Sequence, residues 1–464
     1  MPIFRNLRKG VGRMKKLVSL IILVAFVVTA FSSCADFKLF RAADSLLVPP
    51  LFYEEYEGLV ELFRSQIGEN ASLCSPYDGD YRSAIVVEDF DSDGVKEAFI
   101  FYRDSLGDTV AKARCYESID GDWQPAGDFI GHGNQVESVS VSDMNGDGIS
   151  EIIVSWSVSG VNIGKTLSVY HTSGNNVAFK EISNEVCSVS LITDIDGDLL
   201  DDIFMITQNT NSTIPQRYAR IISVSKDSAV LKGEARVDAN ISSYVSVKTE
   251  KIKNGSISRV YIDALKGERQ MITELIYWDS AKKKLVAPLF DESTMSTVIT
   301  LRNDPILSAD INGDGIIDVP SQTEVFSSGT NEIKIDPSHL YITSWLNFYE
   351  DGNETVISAL VNYDNGYMIT LESKERFELS VEEIIESNCW VVKQRNFETG
   401  EEAELYSVIR VSNDKTNTIA LDGYVALIEK EEYSVYVHIS PYGAECGLTE
   451  SVLKNKILPL QQVV

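Results

Sequence analysis

The sequence is poor in the residues and motifs that many enzymes use for chemistry. It has only 4 histidines, and none of them pairs at a spacing that ligates zinc. It contains no G-x-S-x-G motif, no Walker loop and no dinucleotide-binding fingerprint. These absences argue against a zinc enzyme, an α/β-hydrolase and a nucleotide-dependent enzyme. Paired carboxylates for glycoside cleavage stay open, because acidic residues are abundant and their proximity depends on the tertiary structure.

Cysteine is also scarce, with 6 in 464 residues and no C-x-x-C pair. This argues against a zinc ribbon and against a redox motif. Apart from Cys34, which follows an apolar segment, the cysteines are widely spaced, and we expect most of them to be small buried hydrophobic residues. Their spacing leaves open whether one pair forms a disulfide. These five residues are Cys74, Cys115, Cys187, Cys389 and Cys446.

Positive charge is in short supply. Lys and Arg total 41 against 69 Asp and Glu, which gives a formal net charge of −28. Such a surface repels nucleic acid and anionic lipid headgroups, so we expect no nucleic-acid partner. It suits divalent cations and basic partners, or it serves only to keep an exposed protein soluble.

The N-terminal segment predicts export. Basic residues up to Lys16 precede an apolar run from Leu17 to Phe31, and Ser32, Ser33 and Cys34 follow. Charged and hydrophobic regions in this order are typical of a secretory signal, so we assign residues 1–33 to a signal peptide. No later stretch reaches the roughly 18 apolar residues that a spanning helix needs.

The small residues before Cys34 resemble the lipobox of bacterial lipoproteins, although Phe31 stands where Leu is usual. The resemblance implies that Cys34 is diacylated and becomes the mature N-terminus, with residues 34–50 as a tether. Two acyl chains anchor a protein stably where one does not. We therefore expect a lipoprotein on the extracytoplasmic face of the cell membrane. The alternatives are an ordinary cleaved signal and a short membrane anchor.

An acidic nine-residue pattern recurs four times, with apolar runs around it. Each copy has acidic or amide side chains at positions one, three, five and nine, a spacing that unrelated loops would not share by chance. Position six is glycine except in the third copy, where it is Leu199. The sets are Asp89, Asp91, Asp93 and Glu97; Asp143, Asn145, Asp147 and Glu151; Asp194, Asp196, Asp198 and Asp202; and Asp310, Asn312, Asp314 and Asp318.

Oxygen ligands at alternating positions of a tight loop suit a hard cation. Side chains one, three and five would point inward, position seven would offer a carbonyl, and the acid at nine would close the cage. Calcium tolerates such irregular cages, whereas magnesium demands a stricter octahedron. We expect calcium in all four loops, more weakly in the third, because Leu199 replaces the glycine of the sharp turn. The alternative is a carboxylate-rich turn that binds nothing firmly.

The loops also predict the fold. Each joins two predicted strands, and the copies begin at residues 89, 143, 194 and 310, a period near fifty with one copy missing. Such a period in a strand-rich chain predicts four-stranded blades, hence a mainly β protein with a β-propeller of about five to seven blades. We place the missing copy between residues 240 and 300. There Asn254-Gly255 predicts a hairpin, and a decayed loop with Lys266 and Arg269 would bind no cation.

Three segments follow the signal peptide (1–33) and the tether (34–50). Residues 51–79 are a short helix and lead-in, because Tyr56, Leu59, Val60, Phe63 and Ile67 fall at helical spacing before Gly68. Residues 80–365 hold the propeller repeats, and residues 366–464 form a small C-terminal α+β domain that ends in a helix. In the alternative, the propeller continues to the C-terminus with about seven blades in total.

The acidic loops resemble the FG-GAP/VCBS-type propeller repeats of integrin-like and bacterial surface proteins, over roughly residues 80–335. Position twelve, where EF-hand loops need an acid, is apolar or Ser here, and a strand follows instead of a helix. With Cys34 and the segment from Leu46 to Pro50, the chain resembles VCBS-repeat lipoproteins of Clostridia-like bacteria. The resemblance implies calcium at the matching loop positions and little about a ligand.

Together these patterns predict a non-enzymatic, lipid-anchored, calcium-binding protein that presents a binding surface to a protein or a glycan. The rivals are a propeller enzyme, either a glycoside hydrolase or a lyase, with structural calcium, and an accessory subunit of an envelope complex. An acidic pair with raised pKa values facing a pocket would favour the enzyme. An aromatic-rich mouth without such a pair would favour the binder. We expect the five tryptophans to lie mainly in blade cores.

Overall fold

The computed structural model describes residues 56–460 except 106, 160–163, 173–178, 210–214, 252–257, 325–340, 350–351, 373–374, 397–398 and 414–420. The signal peptide, Cys34, the tether and the Asn254-Gly255 hairpin lie outside the described residues. The chain divides into two compact units, Met1–Ala71 and Ser72–Val464. Strands dominate, as predicted, and all the paired strands are antiparallel. No helix in the described part is long and apolar enough to cross a membrane.

The first unit contains the predicted short helix. Helix α1 spans Glu57–Ile67 and buries Leu59 and Phe63, which are one turn apart on the same face. Gly68 ends it with φ 106°, and its N–H donates to the carbonyl of Arg64. An L-residue with a side chain rarely adopts such a φ, so glycine is the residue that allows the chain to leave the helix here.

The second unit begins with four antiparallel meanders, whose strands follow one another in space as in sequence. Each has four consecutive strands, and the first sheet gains a short extra strand, β1 (Ser72–Leu73), beside β3. The first sheet is β2 (Ile85–Glu88), β3 (Glu97–Arg103), β4 (Lys112–Ile119) and β5 (Asp122–Ile130); the second is β6 (Gln135–Ser142), β7 (Glu151–Ser157), β8 (Lys165–His171) and β9 (Lys180–Cys187). The third is β10 (Val189–Thr193), β11 (Asp202–Asn209), β12 (Gln216–Ser225) and β13 (Ser228–Val237); the fourth is β14 (Ile241–Lys251), β15 (Ser258–Lys266), β16 (Gln270–Asp279) and β17 (Lys284–Val286).

Two further sheets and a small hairpin complete the unit. The hairpin is β18 (Phe290–Asp291) and β19 (Ser296–Thr297). The fifth sheet runs β20 (Val319–Glu324), β21 (Tyr341–Tyr349), β22 (Gly352–Asn362), β23 (Tyr367–Thr370) and β29 (Ile457–Pro459). The sixth has the order β24 (Leu379–Ile384), β25 (Cys389–Arg395), β26 (Glu402–Ser412), β28 (Tyr433–Ile439) and β27 (Val425–Glu429). The helices are α2 (Glu375–Glu378), the 3₁₀ turn η1 (Ile385–Ser387), α3 (Pro441–Glu445) and α4 (Glu450–Lys456).

The pairing of β12 with β13 contains a β-bulge that recurs in other sheets. Ile221 pairs with Gly233 and Ile222 with Leu231, so Lys232 is an extra residue on β13. The same shift occurs in the pairs β4–β5, β8–β9 and β21–β22. A bulge bends the strand and re-aims the side chain of the extra residue. The extra residues are Ala126, Ile182, Lys232 and Val356.

The cores agree with the expectations for cysteine and tryptophan. Of the five cysteines described, four are buried and Cys446 is exposed, and all five are free thiols. Trp156, Trp278, Trp345 and Trp390 are buried, and Trp123 is half-buried. Both residue types therefore serve mainly as packing elements between the sheets.

Two features of the structure bear on the predicted organisation. Lys266 and Arg269 flank the turn between β15 and β16, the second and third strands of their sheet, whereas the first three acidic loops join first and second strands. The equivalent connection of the fourth sheet is 252–257, outside the described residues. The predicted boundary at 366 falls in the turn between β22 and β23. Ile342 and Leu360 share one hydrophobic core with Trp390.

Candidate metal centre

The four acidic loops occupy equivalent places in four sheets. In each, the residue just before the loop pairs with the residue at position nine in antiparallel register. The first three loops therefore each join the first two strands of a sheet, as the sequence predicts. The prediction is wrong for the fourth loop, which precedes β20, the first strand of its sheet, because Ala309 forms an isolated bridge with Asp318 and belongs to no strand. The four pairs are Glu88 with Glu97, Ser142 with Glu151, Thr193 with Asp202, and Ala309 with Asp318.

In each loop, side-chain oxygens accept hydrogen bonds from backbone N–H groups of the same loop. In the first loop, Asp89 Oδ2 accepts the N–H of Gly94 at 3.0 Å, Asp91 Oδ1 that of Asp93 at 3.3 Å, and Asp93 Oδ1 that of Val95 at 2.7 Å. The other three loops repeat these three bonds at 2.8–3.3 Å. This shared geometry explains the fixed spacing of the acidic and amide residues.

The carboxylate at position nine is buried in every loop. Glu97 is 6% exposed, Glu151 and Asp318 are fully buried, and Asp202 is 1% exposed. In three loops it accepts the backbone N–H of position two, at 2.8–3.0 Å. A buried carboxylate is costly unless donors or a cation compensate its charge. What compensates it differs from loop to loop.

In the first loop three carboxylates converge. One oxygen each of Asp89, Asp91 and Glu97 lie within 4.8 Å of one another. Burial raises the pKa of Glu97 to about 7, and the charges of Asp91, Asp93 and Asp89 add to the rise. The oxygens are spaced closely enough to share one hard cation.

In the second loop, protein donors surround the closing carboxylate. Glu151 Oε1 lies 2.7 Å from His171 Nδ1 and accepts from the amide of Asn145 at 3.1 Å, and Oε2 accepts the N–H of Met144 at 2.8 Å. Burial still raises the pKa of Glu151, although the hydrogen bonds to Met144 and His171 oppose the rise. The side chains at positions three and nine are thus bonded to each other.

The third loop contains a cation of its own. The ammonium of Lys232 on β13 contacts Asp196, lies 2.8 Å from Asp198 Oδ2 and lies 3.7 Å from Asp202 Oδ1. Burial raises the pKa of Asp202 to about 6, whereas bonds from Ser223 and the charge of Lys232 oppose the rise. Hydrogen bonds to Asp196 and Asp198 raise the pKa of Lys232 against its burial. One oxygen each of Asp194, Asp196 and Asp202 also lie within 4.8 Å of one another.

The fourth loop leaves an acidic oxygen uncompensated. Asp318 Oδ2 accepts the N–H of Ile311 at 3.0 Å, but the buried Oδ1 has no hydrogen-bond partner among the described residues. Burial raises the pKa of Asp318 to about 6, and the charges of Asp314 and Asp310 raise it further. A buried unpaired carboxylate oxygen is rare in folded proteins and fits a position that a bound cation would satisfy.

Adjacent loops touch one another. Ser92 Oγ donates to the carbonyl of Gly148 at 2.7 Å, and Ser150 N–H donates to the carbonyl of Phe90 at 2.8 Å. These bonds join the first loop to the second. Ser142 Oγ, just before the second loop, donates to Asp201 of the third at 2.7 Å. The first three loops therefore form a connected row.

The fourth sheet is held by a buried ion pair. Arg302 Nη2 lies 2.7 Å from Asp263 Oδ1, and both side chains are at most 1% exposed. Asp263 also accepts from the hydroxyl of Thr273 at 2.6 Å and from the N–H of Ser308 at 3.0 Å. The segment before the fourth loop is thus fixed to this sheet by fully bonded charges.

A cleft of about 600 Å³ lies outside the loops. Aromatic side chains supply much of its wall, with Leu275, Leu289 and a few polar groups. Arg259 donates to the carbonyl of Phe348 at 3.0 Å and lies 6.0 Å from the ring centre of Tyr277. Asp291 is the carboxylate among the described lining residues, and hydrogen bonds from Ser293 hold its pKa below the usual value. The aromatic residues are Tyr277, Phe290, Phe348 and Tyr349.

The structure thus places all sixteen predicted loop residues at four equivalent connections. It also adds three residues that the pattern does not contain: His171, Lys232 and Arg302. None of them belongs to a repeated motif, since each reaches its partner from 20 to 39 residues away. Aromatic residues near Arg259 carry no periodic pattern either, so the cleft is not visible in the sequence.

Comparisons with known proteins do not place the chain in a family. No protein-family model and no curated protein matches it. Among solved structures, it is similar to a rhamnogalacturonan lyase, YesW, at 12% identity and a TM-score of 0.28 over 61% of this chain and 68% of that one. A family 117 glycoside hydrolase of Zobellia galactanivorans matches at 11% identity and 0.22, over 57% and 86%. Two structures of Sqt1 of Chaetomium thermophilum match at 9% identity and a TM-score of 0.27, one over 75% of this chain and 93% of that one, the other over 76% and 94%. Likenesses at this level define neither a shared fold nor a shared activity.

Proposed function

We propose that the protein is a lipid-anchored, extracytoplasmic, calcium-binding β-propeller protein, non-enzymatic, that presents a binding surface to a protein or a glycan. The observation that carries the calcium assignment is Asp318, whose buried Oδ1 lacks a hydrogen-bond partner in the described structure. A cation bound by Asp310, Asn312, Asp314 and Asp318 would neutralise it. The family resemblance of the loops supports the same ion.

Calcium suits these loops better than magnesium does. Each offers oxygen ligands at positions one, three, five and nine on a turn with little freedom to form an octahedron. Their role would be structural, because each loop braces an antiparallel pairing at the start of a sheet. The first, second and fourth loops would each hold one calcium ion. The ligands would be Asp89, Asp91, Asp93 and Glu97 in the first loop; Asp143, Asn145, Asp147 and Glu151 in the second; and Asp310, Asn312, Asp314 and Asp318 in the fourth.

The propeller remains a proposal about how the sheets are arranged. Four consecutive four-stranded meanders, each a separate sheet, are the units from which propellers are built. The equal register of the four loops supports a true repeat of about five to seven blades. A closed ring of sheets is not seen in the part of the chain that the structure describes.

The membrane anchor rests on the N-terminal sequence. Diacylation of Cys34 would place the folded units outside the cytoplasm, where calcium is available. Metabolic labelling with an alkyne fatty acid tests it: the wild-type protein should be labelled and found with membranes, and Cys34→Ser should be unlabelled. Labelling of the Cys34→Ser variant would refute the assignment.

The cleft beside Tyr277 is the proposed ligand surface. Tyr349 is 47% exposed and would stack on the apolar face of a sugar or on a peptide side chain, and Arg259, Asp291 and Asn353 add polar groups to the lining. The described lining has a single carboxylate, and its pKa is lowered rather than raised. A glycoside hydrolase would need a second carboxyl group and a raised pKa, so the cleft favours binding over the rival enzyme.

The calcium proposal is tested by thermal unfolding of the purified protein with EGTA, magnesium or calcium. A rise in Tm specific to calcium is expected, because a ligand that binds the folded state stabilises it. Equal curves in all three conditions would overturn the assignment.

The ligand surface is tested separately, with a panel of peptidoglycan fragments and plant oligosaccharides. Binding should be lost in Tyr349→Ala and kept in Tyr363→Ala, a similarly exposed tyrosine outside the cleft. Equal binding by both variants would refute the cleft. Cleavage of any oligosaccharide, lost in Asp291→Asn, would support the enzyme instead.

A further inference from the structure

The third loop differs from the other three in having a charged partner from another strand. It has carboxylates at all four positions, as the first loop does, whereas the second and fourth loops have asparagine at position three. The four carboxylates belong to Asp194, Asp196, Asp198 and Asp202. The ammonium of Lys232 contacts Asp196, lies 2.8 Å from Asp198 Oδ2 and lies 3.7 Å from Asp202 Oδ1. A cation therefore already stands among the oxygens that would ligate a metal.

The bulge on β13 explains how this lysine reaches the loop. Lys232 is the extra residue of the β12–β13 pair, and a bulge re-aims the side chain that it carries. The bulge residues of the other three sheets with acidic loops are Ala126, Ile182 and Val356. These side chains have no charge to offer. The third sheet is therefore the one of the four that supplies a cation from the bulge position.

We propose that the Lys232 ammonium is the resident cation of the third loop, which binds no calcium in the native protein and is a latent calcium site. The inference rests on the proposed function only in that the other loops bind calcium. Lys232 is 25% exposed, so its stem is held against the protein while the charged end bridges the carboxylates. The ammonium blocks the position that a calcium ion would occupy, by both volume and charge.

The loop keeps the oxygen ligands that a metal would need. Asp202 Oδ2 is buried and has no hydrogen-bond partner among the described residues, so Lys232 does not satisfy the whole carboxylate group. One oxygen each of Asp194, Asp196 and Asp202 lie within 4.8 Å of one another. Removing the ammonium would leave a group of carboxylates like that of the first loop. Among the described ion pairs, no lysine contacts the carboxylates of the first loop.

The test is the number of calcium ions that the purified full-length protein binds. Wild-type protein, Lys232→Met and Lys165→Met are stripped with EGTA and dialysed against radioactive calcium. Lys165→Met is the matched control, because Lys165 is a similarly buried strand lysine paired with Glu137 at 2.7 Å, away from the acidic loops. Lys232→Met should bind one calcium ion more than the wild type, and Lys165→Met the same number as the wild type.

A second variant guards against misfolding. Lys232→Arg keeps the charge and should bind the same number of ions as the wild type. Hydrogen exchange of the amides of residues 194–202 should be slow in EGTA for the wild type. For Lys232→Met it should be fast in EGTA and slow again with calcium.

Equal calcium counts for the wild type and Lys232→Met would overturn the inference, as would a gain in Lys232→Arg. The proposed function fails by a different result, namely no calcium bound by the wild type. In that case a single ion gained by Lys232→Met would still establish the latent site.

Discussion

His171 and Glu151 form a buried pair, with Nδ1 and Oε1 2.7 Å apart and both side chains at most 6% exposed. Glu151 is the closing carboxylate of the second loop, and Met144 and Asn145 also donate to it. The second loop is therefore held in shape by protein donors, whereas the fourth loop has an unpartnered oxygen at the same position. The four loops share one backbone geometry and differ in how their buried charge is compensated.

His171→Ala should lower the stability of the metal-free protein. It removes one donor to a buried carboxylate, which costs about 1–3 kcal/mol. Urea unfolding in EGTA measures the change. His132→Ala is the control, because His132 and Glu181 are partly exposed and their pair contributes about 1 kcal/mol at most. Equal losses in the two variants would show that His171 does not support the loop.

Asp147→Ala should reduce the rise in Tm that calcium produces. Asp147 stands at position five of the second loop, where we propose a calcium ligand, and its Oδ1 accepts the N–H of Ile149 at 2.8 Å. Asp122→Ala, an exposed aspartate at the β4–β5 hairpin, should leave the rise unchanged. Differential scanning calorimetry with EGTA and with calcium compares them. The loop assignment fails when both variants respond to calcium as the wild type does.

Asp263→Ala should destabilise the protein with and without calcium to the same extent. The substitution leaves Arg302 buried without its carboxylate, a change that costs about 3–5 kcal/mol in comparable pairs. Because Asp263 lies outside the acidic loops, the increment in Tm on adding calcium should match that of the wild type. A lost increment would connect this ion pair to calcium binding.

Glu274 should make the metal-free protein less stable as the pH rises. Burial raises its pKa from 4.5 to about 7, so the folded state favours the neutral acid. The stabilisation is complete below pH 4.5 and is lost as the pH rises through 7, and corresponds to roughly 3 kcal/mol. Urea midpoints in EGTA at pH 5 and pH 8 should differ less for Glu274→Gln than for the wild type. Glu268→Gln, at an exposed turn, should behave as the wild type.

The sequence predicts those parts of the structure that repeat. Continuous apolar runs such as Ala98–Tyr102 fall within strands, because they lie beside turns whose acidic residues bond the local backbone. The positions of the loops are equally visible in the sequence, since the hydrogen bonds within the first loop join residues at most seven positions apart. The helix around Leu59 and Phe63 follows from its spacing for the same local reason.

Compensation of buried charge is not visible in the sequence. Lys232 is one of many lysines on strands, and only the bulge that Ile221 and Gly233 define brings it to the third loop. Nothing in the sequence around Asp263 indicates its partner, because the partner, Arg302, lies 39 residues later in the chain. Such pairings depend on how sheets and connections pack, and a single sequence carries no periodic trace of them.

The row formed by the first three loops has a thermodynamic consequence. Ser92 and Ser150 each bond a backbone carbonyl of the neighbouring loop, so tightening one turn removes freedom from the next. An ion bound in the first loop would share the entropic cost of ordering the second. Calcium affinity would then be a collective property of adjacent repeats, and a peptide cut from any one loop would bind far more weakly than the same nine residues in the intact chain.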